Sequence, residues 1–541
     1  PKQRYYAFDK ASGDLLWIGS PGGTPKDTNY SVPIVAVVNG VRMLIGGNSD
    51  GGVHAMNART GEHIWSFKMS RRGLNASIVI DGNYVYAAHG EDNIDNTEFG
   101  RVQCIDATGK GDVTKTHSVW RHDGIKAGYA SLLVKDGILY VISDNGKLNA
   151  YDSKKGDKLW DYALGTVGKG SPVWAEGKLY VMEVNGRVHV LKPSREKCEE
   201  VSMVHLPAGV GTGDDEIYAS PAISNGRVVI VSRDRTICLH DAAKEWKDGE
   251  PLALPEEKPA GDKVAHLKLI PHEVLLNAGE SVEYVLQGFD ENGRFVKNID
   301  GAALKTDALE GASVEGMKVV SGNGDAEQAG HVLVEVDGLQ AKARVRVYPK
   351  LTAEKPWKWT FDGLKGTQIP VTWLNAFLKM KPLQIEDETV LRVNLVKGRP
   401  SVYTWIGKPD MTNYTVQADF KTTEQRRQMS NVGLTVNRYN FIMMGNRQKL
   451  RVQSWAPHRR MTKEVKYRWD PEVWYTMKFR VDVDDKGAHV KGKVWKRGEK
   501  EPDAWSLQAD DPHPNKNGSP GLYFYAMTES FVDNVIVSPA K

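Results

Sequence analysis

Cysteine is scarce: Cys104, Cys198 and Cys238 are the only three in 541 residues. An odd, widely spaced set excludes a disulfide framework. No apolar run reaches the roughly 20 residues of a membrane-spanning helix. Several chemistries lack their spaced signatures: there is no C-x-x-C-H for haem attachment, no H-E-x-x-H for zinc and no G-x-S-x-G for a nucleophilic serine. Charge of one sign does not dominate either, since the net charge is +4 with 26% charged residues. The length suits about three domains.

What is present is a repeated phrase. YYAFDKASGDLLW at 5–17 returns as GGVHAMNARTGEHIW at 51–65, GRVQCIDATGKGDV from 100 and GKLNAYDSKKGDKLW at 146–160. A small residue (Ala7, Ala55, Cys104, Ala150) precedes Asp9, Asn57, Asp106 or Asp152 by two positions, and Trp17, Trp65 and Trp160 follow the small residue by ten. GRVHVLKPS at 186 and RTICLHDAAKEW at 235 are worn copies; the latter keeps Trp246 without a turn glycine. Between phrases lie an apolar segment (SVPIVAVV, NASIVI, ASLLVK, GSPVWA, ASPAIS) and an alternating strand. Four strands per repeat of roughly 46–49 residues is the content of a propeller blade. The small residue permits close approach of sheets, Asp or Asn bonds its own turn, glycine supplies positive φ and tryptophan packs on the next blade. These tryptophans therefore read as structural.

The pattern, clearest in AMNARTGEHIW, closely resembles the pyrroloquinoline-quinone-like propeller repeat of quinoprotein dehydrogenases and of the outer-membrane assembly lipoprotein scaffold. That resemblance covers about residues 1–250 and implies a location outside the cytoplasm, in the periplasm or at the cell surface. The quinone enzymes carry neighbouring cysteines, calcium-ligating acids and a catalytic aspartate; nothing here matches them residue by residue. No cofactor or metal is expected, and the quinone with calcium would require upstream blades to supply the site. About 5.5 blades are visible, against the seven or eight usual in the family. One or two blades and any signal peptide are thus expected upstream of Pro1, the alternative being a short propeller closed by both ends.

KDGEPLALPEEKPAGDK reads as a linker, placed at 251–262. Residues 263–350 show short alternating strands between AGE, DENG and VDG turns, a small β-sandwich. It resembles a bacterial immunoglobulin-like spacer. Residues 351–541 hold nine of the fifteen tryptophans and about ten more cations than acids. Their strands resemble a concanavalin-like or laminin-G-like jelly roll, similar to C-terminal domains of planctomycete-type secreted proteins. Overall the chain reads as all-β: propeller, immunoglobulin-like sandwich and jelly roll.

Alternation sets Leu450 and Val452 against Lys449, Arg451, Gln453 and Trp455, and likewise Met477, Phe479 and Val481 against Lys478, Arg480 and Asp482. Val490 and Val494 oppose His489, Lys491, Lys493 and Trp495. One set makes a core, the other a basic, aromatic-bearing face. The densest cluster spans 424–460, with Arg426, Arg427, Arg438, Arg447, Arg451, Arg459 and Arg460 around Tyr439 and Trp455. Guanidinium forks suit carboxylate, sulfate or phosphate and stack on rings. Arg427, Arg438, Tyr439, Arg451, Gln453 and Trp455 are the candidate ligand-binding residues. The expected partner is an acidic glycan or an acidic protein surface; nucleic acid is not favoured.

Other motifs resolve as structure. VDVDDKG from 481 has Lys486 and Lys493 where a calcium loop needs acids, so it reads as a hairpin. GVGTGDDE from 209 has no helix after it and reads as a loop, and Asp214 and Asp215 as exposed acids. The sequence thus points to a binding or scaffolding protein, a subunit of a larger complex, without catalytic residues. The alternatives are a quinone-dependent dehydrogenase and a glycan-processing enzyme using paired acids such as Asp419 or Asp482.

Overall fold

A computed structural model describes residues 2–211, 213–243, 255–395, 400–455 and 460–540. The described residues are strands and turns without α-helix. Two compact units emerge: Pro1–His272 with Val285–Asp300 and Asp337–Ala341, and Glu273–Tyr284 with Gly301–Val336 and Lys342–Lys541. The expected sandwich at 263–350 is therefore shared between units.

The first unit contains the propeller. Four sheets have the full four strands, one of them extended by a fifth; a two-stranded sheet (Tyr5–Phe8, Leu15–Gly19) precedes them and a three-stranded one (Ala222–Ser224, Arg227–Val231, Thr236–His240) follows. Trp246 lies outside the described residues.

The repeat residues do mechanical work. Asp9 Oδ1 accepts from the amides of Ala11 and Ser12, Asn57 Oδ1 from Arg59 and Thr60, Asp106 Oδ1 from Thr108, and Asp152 Oδ1 from Lys154 and Lys155. Each small residue faces its tryptophan across the strand pair: Ala7 with Trp17, Ala55 with Trp65, Ala150 with Trp160. The indole then reaches the following blade. Trp17 Nε1 donates to the carbonyl of Ala58 at 3.2 Å and Trp160 Nε1 to that of Ser194 at 2.9 Å. Trp65 is fully buried, but its Nε1 has no acceptor among the described residues. The turn it would meet is the altered one of the third repeat.

That third repeat hides its tryptophan. Cys104 faces Trp120, sixteen residues on instead of ten, and Trp120 Nε1 donates to the carbonyl of Ser153 at 2.9 Å. The lengthened segment includes the two-residue strand Gly111–Asp112, which pairs in parallel with His63–Lys68 of the preceding blade. Cys104 is buried as its slot predicts. Cys238 lies at or next to the same slot in the last repeat, where a buried thiol is the expectation, but it is exposed, and no fourth strand covers it among the described residues.

A second recurring contact joins the blade starts. The amide of Val32 donates to Ser77 Oγ, Ser77 to Ser131, Ser131 to Ser171 and Ser171 to Ser220, at 2.8–3.2 Å. Each hydroxyl takes an amide that no strand partner satisfies.

Of the linker expected at 251–262, residues 251–254 lie outside the described residues, and the rest is bonded to the blades. Glu257 accepts from Arg42 and Arg59 at 2.6–2.9 Å and faces Arg294 at 3.2 Å. The Lys258 amide donates to Gly40. A three-stranded sheet (His266–Ile270, Val285–Phe289, Phe295–Asn298) completes this unit.

A sheet that falls mainly in the second unit runs Glu273–Asn277, Leu339–Tyr348, Gln328–Val336 and Leu304–Asp307 in that order. Beyond it stands a two-sheet sandwich. Its larger sheet runs Met380–Ile385, Glu388–Val393, Ser530–Pro539, Tyr414–Thr422, Tyr475–Asp484, Gly487–Lys496, Leu507–Asp511, with Trp357–Trp359 also on Ser530–Pro539. The smaller runs Ser401–Trp405, Gly521–Tyr525, Asn431–Val436, Tyr439–Met444, Lys449–Ser454, Thr462–Lys466. Val416, Phe420, Met477 and Phe479 of the first close on Leu434, Phe441, Leu450 and Phe524 of the second in a single core.

The alternation of Lys449–Ser454, Tyr475–Asp484 and Gly487–Lys496 holds, with Leu450, Val452, Met477, Phe479, Val481, Val490 and Val494 all buried. The single basic face does not. Lys449–Ser454 belongs to the six-stranded sheet and the other two strands to the eight-stranded one, so their outward side chains look to opposite sides of the sandwich.

Candidate functional site

The outer face of the six-stranded sheet can be read from register. One row carries Tyr403, Tyr523, Gly433, Ile442, Arg451 and Glu464; the next carries Trp405, Gly521, Thr435, Asn440, Gln453 and Thr462. Glycine at 433 and 521 leaves that face bare beside large neighbours, and a Cβ on Gly521 would come within 3.1 Å of the Trp405 ring.

Four rings gather at one end. Tyr403 lies 4.5 Å from Trp455 and 4.8 Å from Tyr523 between ring centroids, and Trp405 lies 5.3 Å from Trp455. All four are half-buried. Beside them Thr435 Oγ1 donates to Asn440 Oδ1 at 2.7 Å, while Asn440 Nδ2 and Gln453 Oε1 have no hydrogen-bond partner among the described residues. Asn440 is 1% exposed and Gln453 7%. A buried polar atom left unpaired costs about 1–3 kcal/mol.

Of the six residues expected to bind ligand, Arg451, Gln453 and Trp455 share this face. Arg451 is committed: its Nε donates to Glu464 Oε1 at 2.6 Å, and Lys449 pairs with the same carboxylate at 2.8 Å. Lys449 and Arg451 hold the Glu464 carboxyl below the usual range. Tyr439 faces the core, fully buried, its hydroxyl donating to Asp511 Oδ2 at 2.7 Å and accepting from the Asn515 amide. Burial pushes that phenol up to about 12. Arg427 and Arg438 sit on two-residue turns, Arg426–Arg427 (φ 50° and 60°) and Asn437–Arg438 (φ 47° and 60°), which flank Asn431–Val436. That strand of six residues separates them by roughly 20 Å. The expected arginine cluster is therefore not one site, and Arg459 lies outside the described residues. Tyr403, Trp405, Tyr523 and Asn440 were missed by the sequence reading.

Cations on the opposite face are also paired. Lys478 and Lys493 bind Glu501, and Arg480 and Lys491 bind Asp482, at 2.7–3.2 Å. There Asp419 and Asp533 are buried side by side, bridged by Asn534 Nδ2 at 2.8 and 3.1 Å and by Arg497 at 3.2 and 3.5 Å. Burial raises both, Asp533 to about 6.

In the propeller, Tyr30, Asn75, Tyr129, Lys169 and Tyr218 stand two residues before Val32, Ser77, Ser131, Ser171 and Ser220. Tyr30, Tyr129 and Tyr218 are 66%, 51% and 50% exposed, and Lys169 Nζ lies 5.1 Å from the ring centroids of both Tyr129 and Tyr218. Among the described residues no group of three or more His, Cys, Asp or Glu is placed to hold a metal ion, and no helix is long and apolar enough to cross a membrane.

A family model described as Outer membrane protein assembly factor BamB matches residues 1–162 and again 145–256. Residues 1–256 thus carry a propeller of the pyrroloquinoline-quinone-like type. Among solved structures the chain is similar to BamB from Moraxella catarrhalis, at 15% identity over 61% of this chain and 86% of that one, with a TM-score of 0.31. It is similar also to a chain of a Mitotic Checkpoint Complex (11% identity, 44% and 69% covered, TM-score 0.34) and to the computationally designed Ika8 protein (12%, 62% and 89%, 0.33). No curated protein sequence matches.

Proposed function

We propose that the chain is a binding and scaffolding protein acting outside the cytoplasm. Its propeller meets protein partners, and its C-terminal domain, residues 351–541 in a jelly-roll reading, holds a ligand on the outer face of the six-stranded sheet. Residues 263–350 serve as an immunoglobulin-like spacer. The observation that carries the scaffold reading is the set of half-exposed tyrosines at alternate blade starts, Tyr30, Tyr129 and Tyr218, with Lys169 between the last two. Aromatic residues supply much contact area at little entropic cost, and interface cores are enriched in them. The match to an outer membrane assembly factor model supports both the role and the location.

An acidic partner would meet the exposed turn arginines Arg426, Arg427 and Arg438. The glycan-processing alternative has its own observation in the Asp419 and Asp533 pair, where Arg497 and Asn534 engage Oδ2 of both carboxylates and Thr476 engages Asp419 Oδ1.

Native mass spectrometry of the protein from its source tests the scaffold reading. The expected result is a stoichiometric protein complex that the double variant Tyr129→Ala/Tyr218→Ala dissolves. A lone chain without partners, or a complex indifferent to that variant, would count against it.

A further inference from the structure

We propose that the ligand of the six-stranded sheet is an uncharged, hydroxyl-rich sugar chain, stacked on Tyr403, Trp405, Trp455 and Tyr523 and read by Asn440 and Gln453. This rests on the ligand-binding reading of that sheet and specifies its chemistry.

Three observations select the class. Among the described residues Asn440 Nδ2 is an unused donor and Gln453 Oε1 an unused acceptor, on register partners in one row. A sugar hydroxyl is donor and acceptor at once, so one hydroxyl or an adjacent pair satisfies both atoms. An apolar ligand would leave the two amides unpaired. A polyanion needs free guanidinium or ammonium groups, and on this face Arg451 and Lys449 are spent on Glu464. The rings complete the argument: the C–H faces of a pyranose stack on tilted aromatic faces, and Tyr403, Trp405 and Trp455 present several orientations within 6.0 Å of one another.

Asn440 and Gln453 share their row with Trp405. Trp455 follows directly on Lys449–Ser454, held there by its amide donating to the Arg438 carbonyl at 2.8 Å. A ligand stacked on Trp405 and Trp455 should change tryptophan fluorescence.

The test uses the full chain with cellohexaose, xylohexaose and laminarihexaose as neutral probes and a heparin hexasaccharide as the anionic one. Binding is followed by calorimetry and tryptophan fluorescence. At least one neutral hexasaccharide should bind with a fluorescence change. Gln453→Met keeps shape while removing the unpaired acceptor, so it should fold as well as the parent or better. It should nonetheless weaken the sugar at least tenfold, as should Trp405→Ala.

If only the heparin hexasaccharide binds, and Gln453→Met or Trp405→Ala weakens it, the sheet is a ligand site but the neutral class is wrong. If no probe binds, or if Gln453→Met leaves neutral-sugar affinity unchanged, the sugar site is overturned. Partner capture by the propeller is measured separately and is untouched by either result.

Discussion

Replacing Gly61 by alanine adds one methyl group to the turn on which Trp17 of the preceding sheet rests. The new Cβ would stand 2.7 Å from Cδ2 and Cε3 of that ring, at φ +70°. Two costs combine. Alanine in the left-handed region costs about 1–2 kcal/mol, and overpacking a well-filled contact costs typically 1–3 kcal/mol more. Trp17 is only 3% exposed, and its indole is tied to Ala58, so the ring has little room to retreat. Gly13 separates the two costs: it occupies the same turn position at φ +80°, with nothing within 4 Å of its Cβ. Gly13→Ala should therefore cost about 1 kcal/mol and Gly61→Ala about 2–5. A chain of several domains is not two-state, so the assay is hydrogen exchange resolved to propeller peptides across a denaturant series. In the Gly61→Ala background Trp17→Leu should recover part of the loss, giving a favourable coupling. Equal effects of Gly13→Ala and Gly61→Ala would refute tryptophan-on-glycine packing as the blade lock.

Four further outcomes follow from the geometry. Ser131→Ala removes the acceptor of the Ser77 amide and should cost about 1 kcal/mol, read as faster exchange of that amide. Glu257→Gln should cost about 1–3 kcal/mol, below the roughly 3–5 of a fully buried pair, because Arg42 and Arg59 keep about a third of their exposure and can rehydrate; the arginines, Arg59 foremost, hold its carboxyl well below the usual range, so this contribution is present above the ordinary carboxylate pKa and lost as pH falls through the lower folded value. Asp533 behaves oppositely: burial raises its folded pKa to about 6, so the folded state holds the proton more tightly and stability is lost as pH rises from about 4 through 6. Asp533→Asn should stabilise at pH 7, by up to about 3 kcal/mol for a two-unit shift, and change little at pH 4, as thermal melts at the two pH values would show. Arg451→Ala should cost no more than about 1 kcal/mol, since Lys449 stays on Glu464 at a partly exposed site; a larger loss in urea titration would mean the pair is structural.

The propeller was legible because its repeat spends its residues on local work. An aspartate bonding amides two or three positions on, and a glycine at positive φ, are fixed by adjacent chain, so spacing preserves them. Trp120 escaped because six inserted residues moved it out of register, although Cys104 marked its slot. The serine chain also stood in the sequence, in NASIVI, ASLLVK, GSPVWA and ASPAIS, but its bonds run between blades 40 to 54 residues apart.

In the C-terminal sandwich, alternation separated inside from outside within each strand and carried no information on which sheet a strand joins. Tyr439 was nonetheless readable: it shares the parity of Phe441 and Met443, both in the core. The apolar run around Asn440 hid that its outward neighbours form a site. Pairing of Arg451 with Glu464 and of Lys478 with Glu501 depends on contacts 13 and 23 residues apart, which an excess of positive charge cannot reveal.

Cross-linking mass spectrometry on intact source cells tests the central claim most directly. The account predicts links from Lys126 and Lys169, beside Phe99, Tyr129 and Tyr218, to other protein chains, in a complex that survives purification. Links confined to this chain, from a purified monomer that turns over a polysaccharide or an alcohol, would contradict it.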